Sequence, residues 1–385
     1  MAHKNAQQLI KETFLELATA LETGRLGTSP AIALTAPGGE HGEQNALNAA
    51  LLAKKQGVDV HYIGSLNHPD LTCHPVQDEA QAHEVMERLM GDGTIQGTVT
   101  MHYPFPIGVA TVGRAIAPST GREIFLATTT GTAATDRVEA LVRGAICGII
   151  TAKACGIKNP TVGLLNIDGA RQAETMLKKL QANGFDFTFA ASARAGGGCI
   201  MRGNDLLLGS CDVMVMDSLT GNVVIKMLSA FTSGGNYETV GYGYGPGIGE
   251  NYDKLVLIVS RASGEAVVAN ALKFASQLAQ NVWQQSAKEE FEKAYKAGLK
   301  QLLEEAAARN KQEPKAQQVA APPQEPVTTD IAGIEVMELE DAVTLLWQEG
   351  IYAQSGMGCT GPVVMVNEQR LDKALAILKT GGFIG

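Results

Sequence analysis

A single cysteine near the C-terminal end, Cys359, is the residue best suited to covalent chemistry. It lies in the run SGMGCTGP that starts at Ser355, with Gly358 and Gly361 on either side and the apolar run VVMV after Pro362. This layout predicts a tight loop between two strands with a thiol at its tip. A thiolate attacks carbonyl carbons well, and small neighbours leave it room and free backbone N–H groups. We therefore expect Cys359 to act as a nucleophile.

A second candidate site lies in the run CDVMVMDSLTGNVVIKML that starts at Cys211. A strand is predicted to end at Asp217 and a helix to begin near Gly221. Asn222 and Lys226 are four residues apart and so share one face of that helix. An amide and an ammonium at a helix start, beyond a strand end, suit a phosphate. The alternative is a solvated helix lysine, but Lys226 is the only charge in an otherwise apolar helix, which favours the site.

Three further runs are rich in glycine or hydroxyl groups. PGGEHGEQN from Pro37 is either an anion site or a turn that needs glycine. The run TTTGTAATDRVEAL from Thr128 contains Asp136, which is a predicted helix N-cap. The alternative is that the hydroxyl groups and the glycine of this run also line a phosphate or acyl pocket. The run SGGNYETVGYGYGPGIGENY from Ser233 lacks the GxGxxG spacing. It predicts a mobile loop over the sheet that admits an acyl group, or a flexible connector.

Composition limits the class of protein. The 385 residues are 45% apolar and 18% charged, which is typical of soluble globular chains. A net charge of −9 without a basic stripe argues against nucleic acid as a partner. The N-terminus lacks the apolar core of a signal peptide, and the longest apolar run is too short to cross a membrane. We expect a cytoplasmic protein whose six scattered cysteines are free thiols.

The remaining patterns predict the elements that position these residues. Strands alternate with helices, which favours an α/β fold: a mostly parallel sheet with helices on both faces. Such sheets bind ligands beyond the C-terminal ends of their strands. The predicted strands are Ala31–Thr35, Val58–Ile63, Gly97–Met101, Glu123–Ala127, Thr161–Leu165, Phe187–Ala190, Val213–Met216 and Leu255–Ser260. The predicted helices are Asn5–Thr23, Glu43–Gln56, Glu79–Met90, Arg137–Ala154, Ala170–Asn183, Gly221–Phe231 and a long or broken Gly264–Ala308.

The sequence divides at a flexible Pro-rich linker, residues 309–329, which contains four prolines and almost no bulky apolar residue. Residues 1–308 form the α/β body. Residues 330–385 form a small C-terminal α/β unit that carries Cys359. Its predicted elements are helix Leu339–Gln348, strand Ile351–Gln354, strand Val363–Val366 and helix Gln369–Leu378.

The body resembles the phosphate acyltransferases of phospholipid synthesis. The likeness rests on PTVGLLNIDGARQ from Pro160, GSCDVMVMDSLTGNVVIK from Gly209 and LVLIVSRASGEAVVANAL from Leu255. That family has Asp-Gly-Phe-x-Gly-Asn where this chain has DSLTGN, and a histidine where this chain has Arg261. The resemblance implies a body that brings phosphate to an acyl thioester. Asn222, Lys226 and Arg261 are the candidates for holding phosphate, since a guanidinium fork suits phosphate oxygens.

The whole chain, with its linker and SGMGCTGP unit, resembles the alpha subunits of component C of glycine/sarcosine/betaine reductase complexes. The resemblance implies an enzyme subunit that takes the acetyl-level group from the carboxymethyl selenoether on selenoprotein A. The group is held as a thioester on Cys359, and inorganic phosphate releases it as acetyl phosphate. The implied partners are selenoprotein A and a component C beta subunit in a hetero-oligomer. The resemblance further implies that phosphate is a substrate, and we expect this subunit to need no cofactor or metal of its own.

Two alternatives stay open at this point. In the first, phosphate attacks an external acyl thioester directly, with no covalent intermediate. In the second, the chain is a non-catalytic scaffold that carries the acyl group for a beta subunit.

Overall fold

The computed structural model describes most of the chain from residue 29 onward. The described residues are 29–384 without 195, 312–318, 336–337 and 359–360, together with Lys11, Thr13, Phe14 and Ala18. Almost all of the predicted opening helix, Asn5–Thr23, lies outside these residues. So does Cys359 itself.

The chain forms two compact units, which are described separately. The first consists of Met1–Asn166 and Met176–Ala297, and the second of Ile167–Thr175 and Gly298–Gly385. The second unit therefore combines a short segment from the middle of the sequence with the C-terminal part. Within the predicted linker, the described residues 319–328 contain no helix or strand.

The described part of the first unit contains twelve strands and most of the helices, one of which, Ala170–Ala182, begins in the second unit. Its strands are β1 (Ala31–Thr35), β2 (Asp59–Gly64), β3 (Thr72–Pro75), β4 (Gly97–Thr100), β5 (Val109–Ile116), β6 (Glu123–Thr132), β7 (Thr161–Leu165), β8 (Thr188–Phe189), β9 (Ile200–Met201), β10 (Val213–Val215), β11 (Gly245–Gly249) and β12 (Val256–Ile258). The helices up to residue 296 are α1 (Gly42–Lys55), α2 (Glu79–Gly91), α3 (Arg137–Ala154), α4 (Ala170–Ala182), α5 (Gly203–Leu208), α6 (Ser218–Ala230), α7 (Glu265–Gln280) and α8 (Trp283–Lys296).

The twelve strands form one mixed sheet. Its order is β3-β2-β1-β4-β12-β11-β5-β6-β10-β7-β8, and β9 pairs with β7 off this path. Eight of the eleven described pairings are parallel, and the three antiparallel ones all involve β5 or β11 in the middle. The prediction of a mostly parallel α/β sheet is confirmed.

Burial shows that the sheet is covered on both faces near its first strand. All five residues of β1 are buried, which a strand reaches only when layers cover both of its faces. Ala31 and Ala33 belong to an apolar cluster with Met86 and Leu89 of α2. Helix α7 also contacts β1 and β4 and packs against α1. The core therefore lies between the sheet and helices on each side, as the alternating pattern predicts.

The glycine-rich run after Ser233 is partly a buried strand, so the prediction of a mobile loop was wrong for this part. Every residue of β11 is buried, and the strand pairs with both β5 and β12. A Cβ at Gly245, whose φ is +88°, would lie 1.8 Å from the Val112 carbonyl oxygen. A Cβ at Gly249 would lie 2.7 Å from the Gly108 carbonyl oxygen. These glycines are needed for close packing of two backbones, not for flexibility.

Among its described residues, the second unit contains a small antiparallel sheet and three further helices. Its strands are β13 (Thr329–Ala332), β14 (Ala353–Gly358) and β15 (Gly361–Val366), in the order β13-β15-β14. Its helices are α9 (Leu299–Lys311), α10 (Leu339–Gln348) and α11 (Leu371–Thr380). Ile331, Leu346 and Val364 belong to its own buried core. The predicted helix Leu339–Gln348 is present with the same bounds, whereas β13 was not predicted and begins in the last linker residue.

The two strands that flank Cys359 pair along their whole length. Their register ends with Gly358 opposite Gly361, so Cys359 and Thr360 are the two residues that connect them. The predicted strands on either side of the thiol therefore pair as the two arms of a β-hairpin. No helix in the described part of the chain is long and apolar enough to cross a membrane.

Candidate active site

Helix α6 carries two of the predicted site residues and begins against the end of β6. The Asp217 carboxylate caps it by accepting from the backbone N–H groups of Leu219 and Thr220. The helix therefore starts at Ser218, one turn earlier than predicted, because the aspartate supplies the cap. A Cβ at Gly221 would lie 1.8 Å from the Thr128 carbonyl oxygen, so the helix backbone touches the strand backbone there.

Asn222 is half-buried and faces this contact. Its Nδ2 donates to the Thr129 carbonyl oxygen at 3.4 Å. Thr129 is fully buried, and its hydroxyl donates to the Tyr244 carbonyl oxygen at 2.5 Å and bonds the Thr111 hydroxyl at 2.8 Å. The structure therefore uses the Thr129 hydroxyl to join strands, not to line a phosphate or acyl pocket.

The other interpretation of that run, a helix N-cap, is confirmed. The Asp136 side chain accepts from the backbone N–H of Glu139 at the start of α3.

Lys226 lies on the wall of a cavity of about 480 Å³. Most of the wall is apolar, and three of its lining residues have polar or charged side chains: Lys226, Glu238 and Ser260. The lining residues are Lys226, Met227, Ala230, Phe231, Gly234, Gly235, Glu238, Ser260 and Ala262. A mostly apolar cleft with a few polar groups is the common form of a small-molecule site.

Glu238 is a cavity residue that the sequence did not suggest. Its side chain is only 4% exposed, and its carboxylate accepts from the Ser263 hydroxyl at 2.7 Å and from the Tyr244 hydroxyl at 3.5 Å. Burial, and then the Glu238 charge, raise the pKa of Tyr244, so its hydroxyl stays protonated and donates. A single carboxylate within a glycine-rich run gives no sequence signal of burial, which explains why it was missed.

Arg261 is a neighbour of the cavity in sequence, but its side chain binds elsewhere. Its guanidinium donates to both Glu79 carboxylate oxygens, at 2.8 and 3.1 Å, and to the Gly38 carbonyl oxygen at 2.8 Å. The hydrogen bond from Arg261 lowers the pKa of Glu79, and the same bond raises the pKa of Arg261. The guanidinium fork expected to hold phosphate is thus engaged by a carboxylate. Because both side chains are about half exposed, this pair contributes little to stability.

The glycine run after Pro37 is held against the same segment. Glu40 N–H donates to the Arg261 carbonyl oxygen at 2.9 Å, and Asn45 Nδ2 donates to the Ser263 carbonyl oxygen at 3.0 Å. His41 Nε2 lies 3.3 Å from the Ala262 carbonyl oxygen. The structure therefore brings this run beside residues 261–263, at the ends of β1 and β12.

The predicted nucleophile belongs to the second unit, and Cys359 lies outside the described residues. The described part of its hairpin is tied to α10, since the Ser355 hydroxyl donates to the Glu340 carboxylate at 2.7 Å. Among the described residues, no group of three or more His, Cys, Asp or Glu side chains is arranged to hold a metal ion.

Comparison with known proteins gives the chain its relatives. The family model for fatty acid synthesis proteins matches residues 31–365. The alpha subunit of component C of the glycine/sarcosine/betaine reductase complex from Peptoclostridium acidaminophilum is 52% identical over 380 residues, covering 98% of this chain and 99% of that protein. A phosphate acyltransferase from Phenylobacterium zucineum is 35% identical over 96 residues, 23% of this chain and 25% of that protein.

A solved structure is also similar. The branched-chain phosphotransacylase from Enterococcus faecalis V583 aligns with a TM-score of 0.46 and 17% identity, over 64% of this chain and 99% of that one. The family model matches most of the chain, and the component C relative is 52% identical over 98% of it, so these two findings show the family. The chain belongs to the fatty acid synthesis protein family and to the component C alpha subunits of glycine/sarcosine/betaine reductase complexes.

Proposed function

We propose that this chain transfers an acetyl group from a thioester on Cys359 to inorganic phosphate, which releases acetyl phosphate. The observation that carries the proposal is the hairpin, whose strands stay paired up to Gly358 and Gly361 and whose connection contains the thiol. The 98% coverage by the component C relative extends over this hairpin.

The proposed reaction balances without any cofactor. A phosphate oxygen attacks the thioester carbon and gives a tetrahedral oxyanion. The C–S bond then breaks, acetyl phosphate leaves, and the electron pair stays on the Cys359 sulfur as thiolate. Backbone N–H groups near Gly358 and Gly361 are candidates to stabilise the oxyanion, a role typically worth about 3 kcal/mol for each donor. Asn222, Lys226 and Arg261 remain the candidates to hold phosphate, and Arg261 must first leave Glu79.

The proposed partners follow from the relatives. The two-carbon group would come from the carboxymethyl selenoether of selenoprotein A, where thiol groups would supply the two electrons that bring it to the acetyl level as the C–Se bond breaks. A component C beta subunit would complete the hetero-oligomer. Helix α6 offers a surface for a subunit partner, because large apolar side chains stay exposed at every fourth position. These residues are Leu219, Val223, Met227 and Phe231, the last of them 82% exposed. Exposed apolar stripes of this kind are typical of interaction surfaces.

The test is to map the acetylated residue. The full chain is incubated with radiolabelled acetyl phosphate, which loads the thiol by the reverse reaction, and the labelled peptide is sequenced. We expect label on Cys359 and none in a Cys359→Ser variant, while Cys73→Ser serves as the matched control. Label that persists on Cys359→Ser would contradict the proposal.

Three other cysteines should take no acetyl label in this experiment. Burial raises the pKa of Cys147, Cys155 and Cys211 to about 12 each. At neutral pH these side chains are almost entirely in the unreactive thiol form. Alkylation of the native chain with iodoacetamide should therefore leave all three unmodified, and rapid modification of any of them would show that its surroundings open.

A second candidate function is direct attack of phosphate on an external acyl thioester. The cavity beside Lys226 favours it, because a largely apolar wall next to an ammonium would suit an acyl group and phosphate together. The Cys359→Ser variant distinguishes the two mechanisms. Full phosphorolysis of an external acyl thioester by this variant would support direct transfer.

A further inference from the structure

A second, much smaller cavity of the first unit, the inner hollow, shares a wall with the Lys226 cavity. Its volume is about 10 Å³, which is barely the room that one water molecule needs. Most of its walls are apolar side chains from β5, α6 and the run that follows Glu238. The lining residues are Ala115, Ile116, Ile225, Leu228, Ser229, Glu238, Val240 and Gly243. A space of this kind suits an alkyl group better than it suits water.

Glu238 forms the shared wall. Of all the residues that the structure describes, it is the one that lines both the Lys226 cavity and the inner hollow. Its side chain is 4% exposed, so it fills space between the two cavities and does not extend into solvent. Without the glutamate Cγ, Cδ and carboxylate oxygens, the two cavities would join into one longer cavity.

Hydrogen bonds hold this wall in place. The Glu238 N–H donates to the Ala262 carbonyl oxygen at 2.9 Å, and the Glu238 carbonyl oxygen accepts from the Gly264 N–H at 3.0 Å. The carboxylate accepts from the Ser263 hydroxyl at 2.7 Å. Ser263 is fixed in turn, because its hydroxyl oxygen accepts from the Ser260 N–H at 3.0 Å. The glutamate cannot swing aside without losing a hydrogen bond in a buried place, which is costly.

We propose that Glu238 limits the length of the acyl group in the Lys226 cavity, which takes an acyl phosphate with a two-carbon acyl group. This inference rests on the proposed formation of acetyl phosphate and adds the residue that restricts the acyl group. The phosphate would lie toward Lys226 and the acyl methyl group toward Glu238. A longer chain would have to displace the carboxylate from its partner or lie against it, and both are unfavourable.

Acylphosphonates are suitable probes, because their C–P bond prevents acyl transfer while they keep the shape and charge of an acyl phosphate. Acetylphosphonate, propionylphosphonate and butyrylphosphonate are titrated into the full chain in a calorimeter. The variants are Glu238→Ala, Glu238→Asp and Glu238→Gln. Glu265→Ala is the matched control, since Glu265 lies in the same region, pairs with Asn48 and lines neither cavity.

We expect the parent chain to bind butyrylphosphonate about 10-fold or more weakly than acetylphosphonate, the usual effect of extra methylene groups in a closed pocket. Glu238→Ala should bind butyrylphosphonate about 10- to 100-fold more tightly than the parent chain does. Its affinity for acetylphosphonate should stay within about threefold, because the short acyl group does not reach the inner hollow. Equal affinity of the parent chain for both probes would overturn the proposal, and so would an unchanged preference in Glu238→Ala.

Two further variants separate size from charge. Glu238→Gln keeps the volume of the wall, so the preference for the acetyl group should persist. If Glu238→Gln binds butyrylphosphonate as tightly as Glu238→Ala does, charge and not size sets the limit, and the wall is refuted. Glu238→Asp keeps a carboxylate for Ser263 and so tests the idea even if Glu238→Ala does not fold. Its shorter side chain should raise the affinity for propionylphosphonate about fourfold, the effect of burying one methylene group.

Two outcomes distinguish this inference from the proposed function. Lys226→Gln should weaken all three probes by the same factor, and unchanged binding would show that they bind outside this cavity and overturn the inference. Acetyl label on Cys359 without any binding of acetylphosphonate would also overturn it and leave the thioester proposal standing. Binding with the expected length limit, but no label on Cys359, would support the inference together with direct attack on an external thioester.

Discussion

A methyl group at Gly221 would push α6 away from β6, and this single change tests the description of the candidate site. The added Cβ would lie 1.8 Å from the Thr128 carbonyl oxygen and 2.8 Å from its carbonyl carbon. A carbon–oxygen contact is normally about 3.3 Å or longer, so the helix must move by about 1.5 Å. Both contacting groups are backbone, and no side-chain rotation relieves the clash.

The net effect of Gly221→Ala follows from two opposing terms. Alanine stabilises a helix interior by about 1 kcal/mol relative to glycine. Overpacking a tight contact costs about 1–3 kcal/mol, and more where the backbone cannot yield. We expect the free energy of unfolding to fall by about 1–2 kcal/mol. Because Asn222 is the next residue, a shift of this size should also lower the rate of acetyl phosphate formation about 100-fold.

Urea unfolding and single-turnover phosphorolysis measure the two effects. Gly91→Ala is the matched control, since Gly91 ends α2 and a Cβ there would meet nothing within 4 Å. Equal stability of the two variants would refute the packing argument. A destabilised Gly221→Ala chain with the parent's rate would show that α6 takes no part in the reaction.

Three further predictions concern charge. Glu79→Gln removes the carboxylate that pairs with the Arg261 guanidinium and should lower the half-saturating phosphate concentration several-fold. An unchanged concentration would show that Arg261 does not bind phosphate. Lys226→Gln should raise the half-saturating phosphate concentration about 10- to 100-fold, as expected for a lost charged hydrogen bond. The same concentration as in the parent chain would show that Lys226 is a solvated side chain that does not bind phosphate. Burial lowers the pKa of both His61 and His74, so the unfolded chain binds protons first as the pH falls below 6.5. The free energy of unfolding should therefore drop as the pH falls below that value, and His61→Gln should flatten the slope measured by urea titration at each pH.

The parts of the fold that the sequence predicted best are those with strong local patterns. The bounds of Ala31–Thr35, Thr161–Leu165 and Arg137–Ala154 are correct to the residue. Each combines an apolar run or period with clear end signals, such as the Asp136 cap. Strand β5 was missed, because its antiparallel place in the middle of the sheet has no local signature. Strand β11 was missed because its alternating glycines resemble a loop and are required only by neighbouring backbone.

The candidate site was predictable only where a residue stands out from its own surroundings. Lys226 was singled out because it is the only charge in an apolar helix; it lines a cavity, and its role in holding phosphate stays a prediction. The pairing of Arg261 with Glu79 joins residues 182 positions apart, so no local pattern reveals it. Glu238 is buried only by its tertiary neighbours. The role of Cys359 stays a prediction that rests on its setting in the sequence.

The composition of the second unit bears on how this protein can be divided or recombined. A gene fragment that starts after the Pro-rich stretch would encode the three-stranded sheet but neither α9 nor Ile167–Thr175, which belong to the same compact unit. Grafting the thiol hairpin onto another protein would therefore require both missing pieces. A chain truncated near residue 309 would likewise lack Glu335, whose carboxylate accepts from the backbone N–H of Gly169 in the same unit. The second compact unit is therefore encoded by two separate stretches of the gene, and an exchange of the whole unit must include both.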